Sequence, residues 1–291
     1  YERIERECAH YTLWRVTGQF TDTLKEMVAA TGVSRLGFEA TSLTVADYQK
    51  WQQALGSAVR WFATYELVEN LRAQKDEEEI EMLRQATRLT DDAMQHVLQT
   101  LRPGMTEKEV AWNVEIYMRT HGAESASFDS IVACGPPSAM PHVQPSDAPL
   151  VAGQPIVIDI GAKVKGYCGD LTRTVCLGEP DDRFFRVYDT VLQAQDAAKQ
   201  AMRAGVRGQD VHMVAQRIID EAGHGEHFGH GLGHGVGLAI HEKPRASRLS
   251  EDILQAGSVI TVEPGIYIPG WGGIRTEDVV VVRDNGVETL T

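Results

Sequence analysis

Four acidic residues lie in or at the ends of segments that otherwise have the composition of β-strands. The segments are "PIVIDIGA", "YCGDLTRTV", "SVITVEPG" and "IRTEDVVVV", and their acids are Asp159, Asp170, Glu263 and Glu277. A carboxylate buried without a partner is costly, and four carboxylates close together cannot all ionise unless cations lie among them. If these strands are neighbours in the fold, the sequence predicts a cation site.

The first two acids belong to a predicted hairpin. Asp159 alternates with isoleucines and so points to the opposite face, and "KVKG" can turn the chain before Asp170. The two carboxylates can then face each other. Taken alone, each aspartate could instead be a strand-end residue that accepts hydrogen bonds from the backbone or from Arg173. For Glu277 the alternative is its neighbour Asp278, which points to the opposite face.

A glycine-rich segment, "HGLGHGVGLAIHEKPR" at residues 230–245, belongs to a cluster of histidines. Five of the ten histidines occur within eighteen residues, namely His224, His227, His230, His234 and His241. A single histidine is more often a hydrogen-bonded core or surface residue than a metal ligand, but a cluster that accompanies four strand carboxylates favours ligands. We expect the glycines to let the backbone approach a metal centre and its substrate closely.

The donor types indicate which metal and which reaction to expect. Carboxylates with one or two imidazoles form an oxygen-rich site, which suits Mn²⁺, Fe²⁺ or Co²⁺ better than a thiolate-rich zinc site. Four acids exceed the need of one ion, so two ions about 3.5–4 Å apart, bridged by carboxylates, fit better. Such a centre activates water and polarises a carbonyl group, which predicts hydrolysis.

Several other chemistries are excluded by spacing. The glycines do not fit G-x-G-x-x-G, and no G-x-x-x-x-G-K-[ST] phosphate loop or G-x-S-x-G nucleophile motif occurs. "HEKPR" begins like the helical zinc motif H-E-x-x-H but contains proline and ends in arginine. The sequence therefore does not support a nucleotide-binding protein or a serine hydrolase.

Composition excludes further classes. The chain has 291 residues and a formal net charge of -13, which disfavours nucleic acid as a partner. No segment has the roughly 18 apolar residues of a membrane span. Four cysteines without a C-x-x-C pair do not resemble a disulfide framework, so we expect a reducing, cytoplasmic location; they are Cys8, Cys134, Cys168 and Cys176.

Hydrophobic periodicity predicts the elements that carry these residues. In the first 68 residues it predicts extended segments at 11–18, 35–40 and 60–68 and helices at 20–31 and 44–55. A long amphipathic helix follows at 76–101, and Thr106 with Glu109 forms a capping-box pattern before the next helix. Further helices are predicted at 183–203 and 210–222, with strands between and after them.

These motifs resemble those of the pita-bread metallopeptidases, a family that includes methionine aminopeptidase, aminopeptidase P and prolidase. "DIG" with "GDLTRT" is similar to the family's paired-aspartate hairpin, "HGLGHGVGLAIHE" to a motif of its proline-specific branch, and "VEPGIY" and "IRTEDVVVV" to its two glutamate strands. The resemblance covers roughly residues 70–291. It implies an α+β pita-bread catalytic domain, residues 71–291, with a curved antiparallel sheet and flanking helices.

The resemblance also implies a role for each matching residue. The implied ligands of two divalent ions, most suitably Mn²⁺ with Co²⁺, Fe²⁺ or Zn²⁺ as alternatives, are Asp159, Asp170, His234, Glu263 and Glu277. Of these, Asp170 and Glu277 would bridge the ions, and Glu263 would pass a proton to the leaving nitrogen. His142, His230 and His241 would surround the substrate, with His241 holding the scissile carbonyl oxygen. His224 and His227 match no such position and are expected to be structural or exposed.

The implied substrates are small peptides with proline at the second position. Arg245 lies where short prolidases carry an arginine that can bind the carboxylate of an Xaa-Pro dipeptide, and this favours a dipeptidase. The alternatives are an exposed loop arginine and an Xaa-Pro aminopeptidase that acts on longer peptides. A creatinase-like amidinohydrolase and a non-catalytic peptide-binding module are more remote, because neither requires the complete set of donors.

Residues 1–70 resemble part of the smaller α/β N-terminal domain that proline-specific members carry. We expect the first strands of that domain to be missing, because the chain starts without an initiating methionine in "YERIERECAH". This domain favours proline specificity over removal of an initiator methionine. We also expect a homodimer.

Overall fold

The computed structural model describes residues 2–291, so Tyr1, the first residue of the expected N-terminal domain, lies outside the described residues. The chain divides into two compact units, one that ends at Val68 and one that comprises Glu69–Thr291. Among the described residues no helix combines the length and the apolarity that a membrane span requires.

The first unit is a small α/β arrangement. Its elements are α1 (Glu2–Glu7), α2 (Phe20–Thr31), β1 (Arg35–Glu39), α3 (Val45–Leu55) and β2 (Arg60–Thr64), and the two strands pair in parallel. Helix α2 ends at Gly32, whose φ of 66° lies in the left-handed region that favours glycine. The predicted helices and the strand at 35–40 are confirmed.

Two expectations for the first unit are wrong. Residues 11–18 form no strand, and no segment among the described residues pairs with them. Apolar alternation alone does not make a strand, because the backbone also needs an edge with which to pair. The extended segment predicted at 60–68 ends at Thr64, and its last two residues belong to helix α4 (Leu67–Arg72).

The second unit contains four long helices and thirteen strands among the described residues. The helices are α5 (Glu77–Thr100), α6 (Glu107–Thr120), α7 (Asp182–Ala201) and α8 (Gly208–Glu221). The strands before α7 are β3 (Ser125–Ala126), β4 (Ile131–Cys134), β5 (Pro155–Ile160), β6 (Ala162–Val164), β7 (Tyr167–Cys168) and β8 (Leu171–Cys176). Those after α8 are β9 (Gly233–Gly235), β10 (Glu242–Ala246), β11 (Val259–Val262), β12 (Gly265–Ile268), β13 (Gly272–Arg275), β14 (Asp278–Arg283) and β15 (Gly286–Thr289).

The helices begin where the sequence predicts. Asp76 caps α5 and Thr106 caps α6, and each forms a complete capping box with the glutamate three residues later. The apolar faces of α5 and α6 pack on the isoleucines of β5, whereas α7 and α8 pack on β11 and β14. The face of β5 opposite its isoleucines is left available for a site, whereas the second face of β11 and β14 packs against Ile80 and Leu83 of α5.

The strands form antiparallel sheets in this unit. The orders are β10-β9-β11-β14-β15, β4-β5-β8, β3-β6-β7 and β12-β13. The predicted hairpin is confirmed, since β5 pairs with β8 and Asp159 lies opposite Thr172. Hydrogen bonds from Thr174 Oγ1 to the Arg275 carbonyl (2.9 Å) and from the Glu277 amide to the Thr172 carbonyl (3.1 Å) place this hairpin beside the strands around Glu277.

Candidate metal and substrate site

One cavity of about 470 Å³ collects the residues that the sequence singled out. It is lined by nine of them: His142, Asp159, Asp170, His230, His234, His241, Arg245, Glu263 and Glu277. They come from segments up to 135 residues apart in the chain, from residue 142 to residue 277. The fold thus brings together the acids, the histidines and the arginine that the sequence could only place on separate elements.

The paired aspartates lie on the face of the hairpin opposite the helices. The isoleucines of β5 pack against α5 and α6, so Asp159 points away from that core. Its Oδ2 accepts a hydrogen bond of 2.5 Å from Arg275 Nη2, while its buried Oδ1 has no hydrogen-bond partner within residues 2–291. Arg173, the partner that the sequence offered as an alternative, bonds to Asp278 and to the Glu277 carbonyl instead.

His234 lies on β9, between β10 and β11. Its Nδ1 donates to the Gly235 carbonyl at 3.1 Å, which leaves Nε2 free to act as a ligand atom. Nε2 lies 3.4 Å from Glu263 Oε1 and 3.7 Å from Asp170 Oδ2. The imidazole is therefore oriented towards two of the carboxylates.

The two glutamates are oriented by threonines. Thr261 Oγ1 donates to Glu263 Oε1 at 3.1 Å, and Thr172 Oγ1 donates to Glu277 Oε2 at 2.7 Å. Asp278, the alternative to Glu277, points away and bonds to Lys199 and Arg173, each at 2.9 Å. Glu277 lies in the short link between β13 and β14 and faces the cavity, whereas Asp278, the first residue of β14, faces a pair of cations outside it.

The carboxylates destabilise one another's charged forms. Burial and the charge of Glu277 raise the pKa of Asp170 well above its ordinary value, and burial and the charge of Glu263 do the same for the pKa of Glu277. Burial raises the pKa of Glu263 to about 7. Ligand atoms of Asp170, His234 and Glu277 all lie within 4.8 Å of one another. Repelling carboxylates, a free imidazole nitrogen and an unpaired Asp159 oxygen fit divalent cations.

The histidines outside the acid cluster line the cavity in different ways. His230 is deeply buried, and burial and the charge of Arg275 lower its pKa to about 4, so it is neutral near pH 7. The ring of His241 meets that of His234 edge-on with centroids 4.3 Å apart, and His142 is exposed.

His224 and His227 contact each other after α8, with centroids 6.0 Å apart, and do not line the cavity.

Two residues of the site were not assigned a role from the sequence. Arg275 binds Tyr267 OH at 2.7 Å and Thr172 Oγ1 at 3.1 Å, in addition to Asp159. Tyr267 OH lies 3.0 Å from His230 Nε2, so one network joins the acids to this histidine. Alternation places Arg275 on the face of Glu277, but nothing in the local sequence indicates its partner 116 residues away.

The glycines of residues 230–245 are also required for strand packing, which we did not expect. A Cβ on Gly233 would collide with the Thr261 carbonyl, and one on Gly235 with the Lys243 carbonyl. Both glycines thus allow β9 to pack tightly between its neighbouring strands. Gly231 and Gly233 also line the cavity, so the strand brings its backbone to the site as well.

A helix-covered antiparallel fold with a buried set of carboxylates and one imidazole beside an open cavity defines a divalent-metal-dependent hydrolase. The chain belongs to metallopeptidase family M24, whose model matches residues 81–284, and a creatinase/prolidase N-terminal domain matches residues 1–74. The expected pita-bread fold and the proline-specific branch are thereby confirmed.

Relatives and solved structures extend this assignment. The chain is 43% identical to an Xaa-Pro dipeptidase of Pyrococcus furiosus over 78% of its own length and 65% of that protein's length. It superposes with a TM-score of 0.95 on an Xaa-Pro dipeptidase from Bacillus anthracis, at 40% identity, covering 99% of this chain and 82% of the other. A Thermotoga maritima X-Pro aminopeptidase gives a TM-score of 0.90 at 40% identity, with 99% and 83% coverage.

Proposed function

We propose that this protein hydrolyses the peptide bond between an N-terminal residue and proline, and that Xaa-Pro dipeptides are its preferred substrates. The observation that carries the proposal is the convergence of five metal-type donors, three further histidines and Arg245 on one cavity of about 470 Å³. The named relatives include both dipeptidases and an aminopeptidase, so an Xaa-Pro aminopeptidase is the second candidate.

The proposed ligands of two divalent ions, most suitably Mn²⁺, are Asp159, Asp170, His234, Glu263 and Glu277. Asp170 and Glu277 are proposed to hold both ions, because ligand atoms of these two carboxylates and of His234 lie within 4.8 Å of one another. When bound, the ions would supply an activated water and would polarise the peptide carbonyl. The protein's own groups must then hold the substrate and move protons.

His241 and His142 are proposed to contact the substrate from the open side of the cavity. Burial lowers the pKa of His241, so near pH 7 its neutral ring can donate one hydrogen bond to the scissile carbonyl oxygen. Glu263 is proposed to pass a proton to the leaving proline nitrogen. His230 is held by Tyr267 OH and by the Gly231 carbonyl, which fixes its ring as one wall of the site.

Arg245 supports the preference for dipeptides. Its exposed side chain lines the cavity, and within residues 2–291 its guanidinium has no hydrogen-bond or ion-pair partner. A free guanidinium beside the proposed ligand His234 can bind the C-terminal carboxylate of an Xaa-Pro dipeptide through two parallel hydrogen bonds. In a longer peptide the same position holds an uncharged amide, which gains less from the arginine.

The proposal is tested by steady-state assays of Xaa-Pro dipeptides and Xaa-Pro-Xaa tripeptides, with chelated and Mn²⁺-loaded protein and with Xaa-Ala peptides as controls. We expect Mn²⁺-dependent cleavage of the proline peptides and a higher kcat/KM for dipeptides. Cleavage of neither proline peptide would refute the function, and a preference for tripeptides would establish the aminopeptidase. A cytoplasmic location and a homodimer remain predictions, and light scattering in solution tests the dimer.

A further inference from the structure

The residue that follows His241 is held by two cations. Glu242 accepts a hydrogen bond of 2.5 Å from Arg72 Nη2 and one of 2.6 Å from Lys75 Nζ. Its side chain is only 6% exposed, and that of Lys75 only 2%. Because a buried charge that loses its partner is strongly destabilised, this carboxylate has one favourable position, between Arg72 and Lys75.

The same carboxylate packs beneath the turn that leads to His241. Glu242 Oε2 lies 3.4 Å from the Ala239 amide nitrogen, and a Cβ on Gly237 would collide with the Glu242 carboxylate. The Gly237 carbonyl in turn accepts a hydrogen bond of 2.8 Å from the Cys168 amide. The turn at residues 237–241 is therefore fixed at one end by Cys168 and at the other by Glu242.

His241 itself has little else to orient it. His241 is exposed, and within residues 2–291 its ring contacts the ring of His234 but makes no hydrogen bond. The backbone between Gly237 and Glu242 must therefore determine where the imidazole lies. A displacement of about 1 Å in such a group can lower a reaction rate by roughly 100-fold.

We propose that the Arg72–Glu242–Lys75 ion-pair cluster is a positioning device for His241. This inference rests on the proposed function, in which His241 holds the scissile carbonyl oxygen. Arg72 and Lys75 contribute from the segment that precedes α5, more than 160 residues before Glu242 in the chain. The cluster does not touch the substrate and acts only through the peptide that links Glu242 to His241.

A double-mutant cycle separates positioning from simple stabilisation. Arg72→Gln is the milder disruption, because the Arg72 side chain is 34% exposed and Lys75 still neutralises Glu242. We expect it to lower kcat on an Xaa-Pro dipeptide about tenfold with KM changed less than about twofold, because the oxyanion contact forms in the transition state. In a His241→Ala background it should have no further effect on kcat, and Arg72→Lys should restore most of the activity.

The matched control is Arg84→Gln, which removes an arginine of α5 that pairs with Glu288 and does not line the cavity. It should leave kcat within about twofold of the unchanged protein. An equal loss of kcat in Arg84→Gln, or an undiminished effect of Arg72→Gln in the His241→Ala background, would show that the cluster is only structural and would overturn the inference.

A second measurement does not depend on activity. In ¹H–¹³C spectra of histidine-labelled protein, the His241 signal is assigned by its disappearance in His241→Gln. Arg72→Gln should shift or broaden it, whereas Arg84→Gln should not. An unmoved His241 signal would overturn the positioning role even if the protein cleaved no Xaa-Pro peptide, a result that by itself would refute only the proposed function.

Discussion

His234 and Arg245 are direct cross-strand neighbours on the antiparallel strands β9 and β10. Directly opposite residues project to the same face of a sheet, so the guanidinium and the imidazole both line the cavity. The charge of Arg245 also contributes to lowering the pKa of His234, after the larger effect of burial. Strand register therefore places the arginine proposed to bind the substrate carboxylate beside a proposed metal ligand.

Arg245→Ala should separate the two classes of substrate. We expect KM for Xaa-Pro dipeptides to rise by roughly 10-fold to 100-fold, because a charge-assisted bidentate contact with the substrate carboxylate is lost. KM for Xaa-Pro-Xaa tripeptides should change much less. Steady-state kinetics on a matched dipeptide and tripeptide measure both values.

Arg248→Ala is the control for Arg245, since Arg248 is also exposed and does not line the cavity. It should leave KM for both substrates unchanged. An equal increase of KM for dipeptide and tripeptide in Arg245→Ala would argue against a carboxylate contact and would favour the aminopeptidase.

Replacing each of the neighbouring acids Glu277 and Asp278 by its amide should give opposite results. Glu277→Gln should abolish metal binding and activity, yet it should raise the melting temperature of the metal-free protein near pH 8, because it removes one of several mutually repelling buried carboxylates. Asp278→Asn should lower stability by about 1–3 kcal/mol, because Arg173 and Lys199 lose a common partner. It should still bind metal.

Calorimetric metal titration and thermal unfolding of the two variants measure these effects. Loss of metal binding in Asp278→Asn with retention in Glu277→Gln would mean that the assignment along this strand is reversed.

Local alternation and the family resemblance together supplied what the sequence could say about this site. Asp159 could be assigned to the cavity face because it alternates with the isoleucines of its own strand, whereas Glu277 was separated from Asp278 only by the resemblance, since valines follow on both faces. The contact of Arg275 with Asp159 could not be predicted, because it depends on how two hairpins pack against each other. The strand predicted at 11–18 was wrong for the same reason, since the alternation of its residues does not show whether a neighbouring strand is present to pair with it.

The stabilising effect of Mn²⁺ should increase with pH. In the metal-free protein the folded-state pKa of Glu263 is about 7, against an ordinary 4.5, and the pKa values of Asp170 and Glu277 are also raised. Between those values the folded state retains protons that the unfolded chain has released, so metal-free stability falls as pH rises through this window. Bound cations remove that penalty. Thermal unfolding with and without Mn²⁺ should show a larger shift at about pH 8 than at about pH 5.

Taking the difference between the loaded and metal-free proteins cancels the pH-dependent contributions of groups whose pKa the metal does not change. The lowered pKa of His230, about 4, acts in the opposite direction, because stability is lost as pH falls from 6.5 towards 4. In Glu263→Gln the pH dependence of the metal-induced shift should become shallower. A shift of the same size at both pH values in the unchanged protein would argue that these carboxylates are not the ligands.

Gly233→Ala should damage both stability and the site. The added Cβ would collide with the Thr261 carbonyl, and Thr261 accepts a hydrogen bond from the His234 amide and donates one to Glu263. We expect a loss of about 1–3 kcal/mol, as for other overpacked positions, together with weaker metal binding. Gly229→Ala is the control, because open space surrounds Gly229, and it should change stability by less than about 0.5 kcal/mol. Equal stability of the two variants in urea would mean that β9 can move away from β11, and that this glycine does not maintain the position of His234.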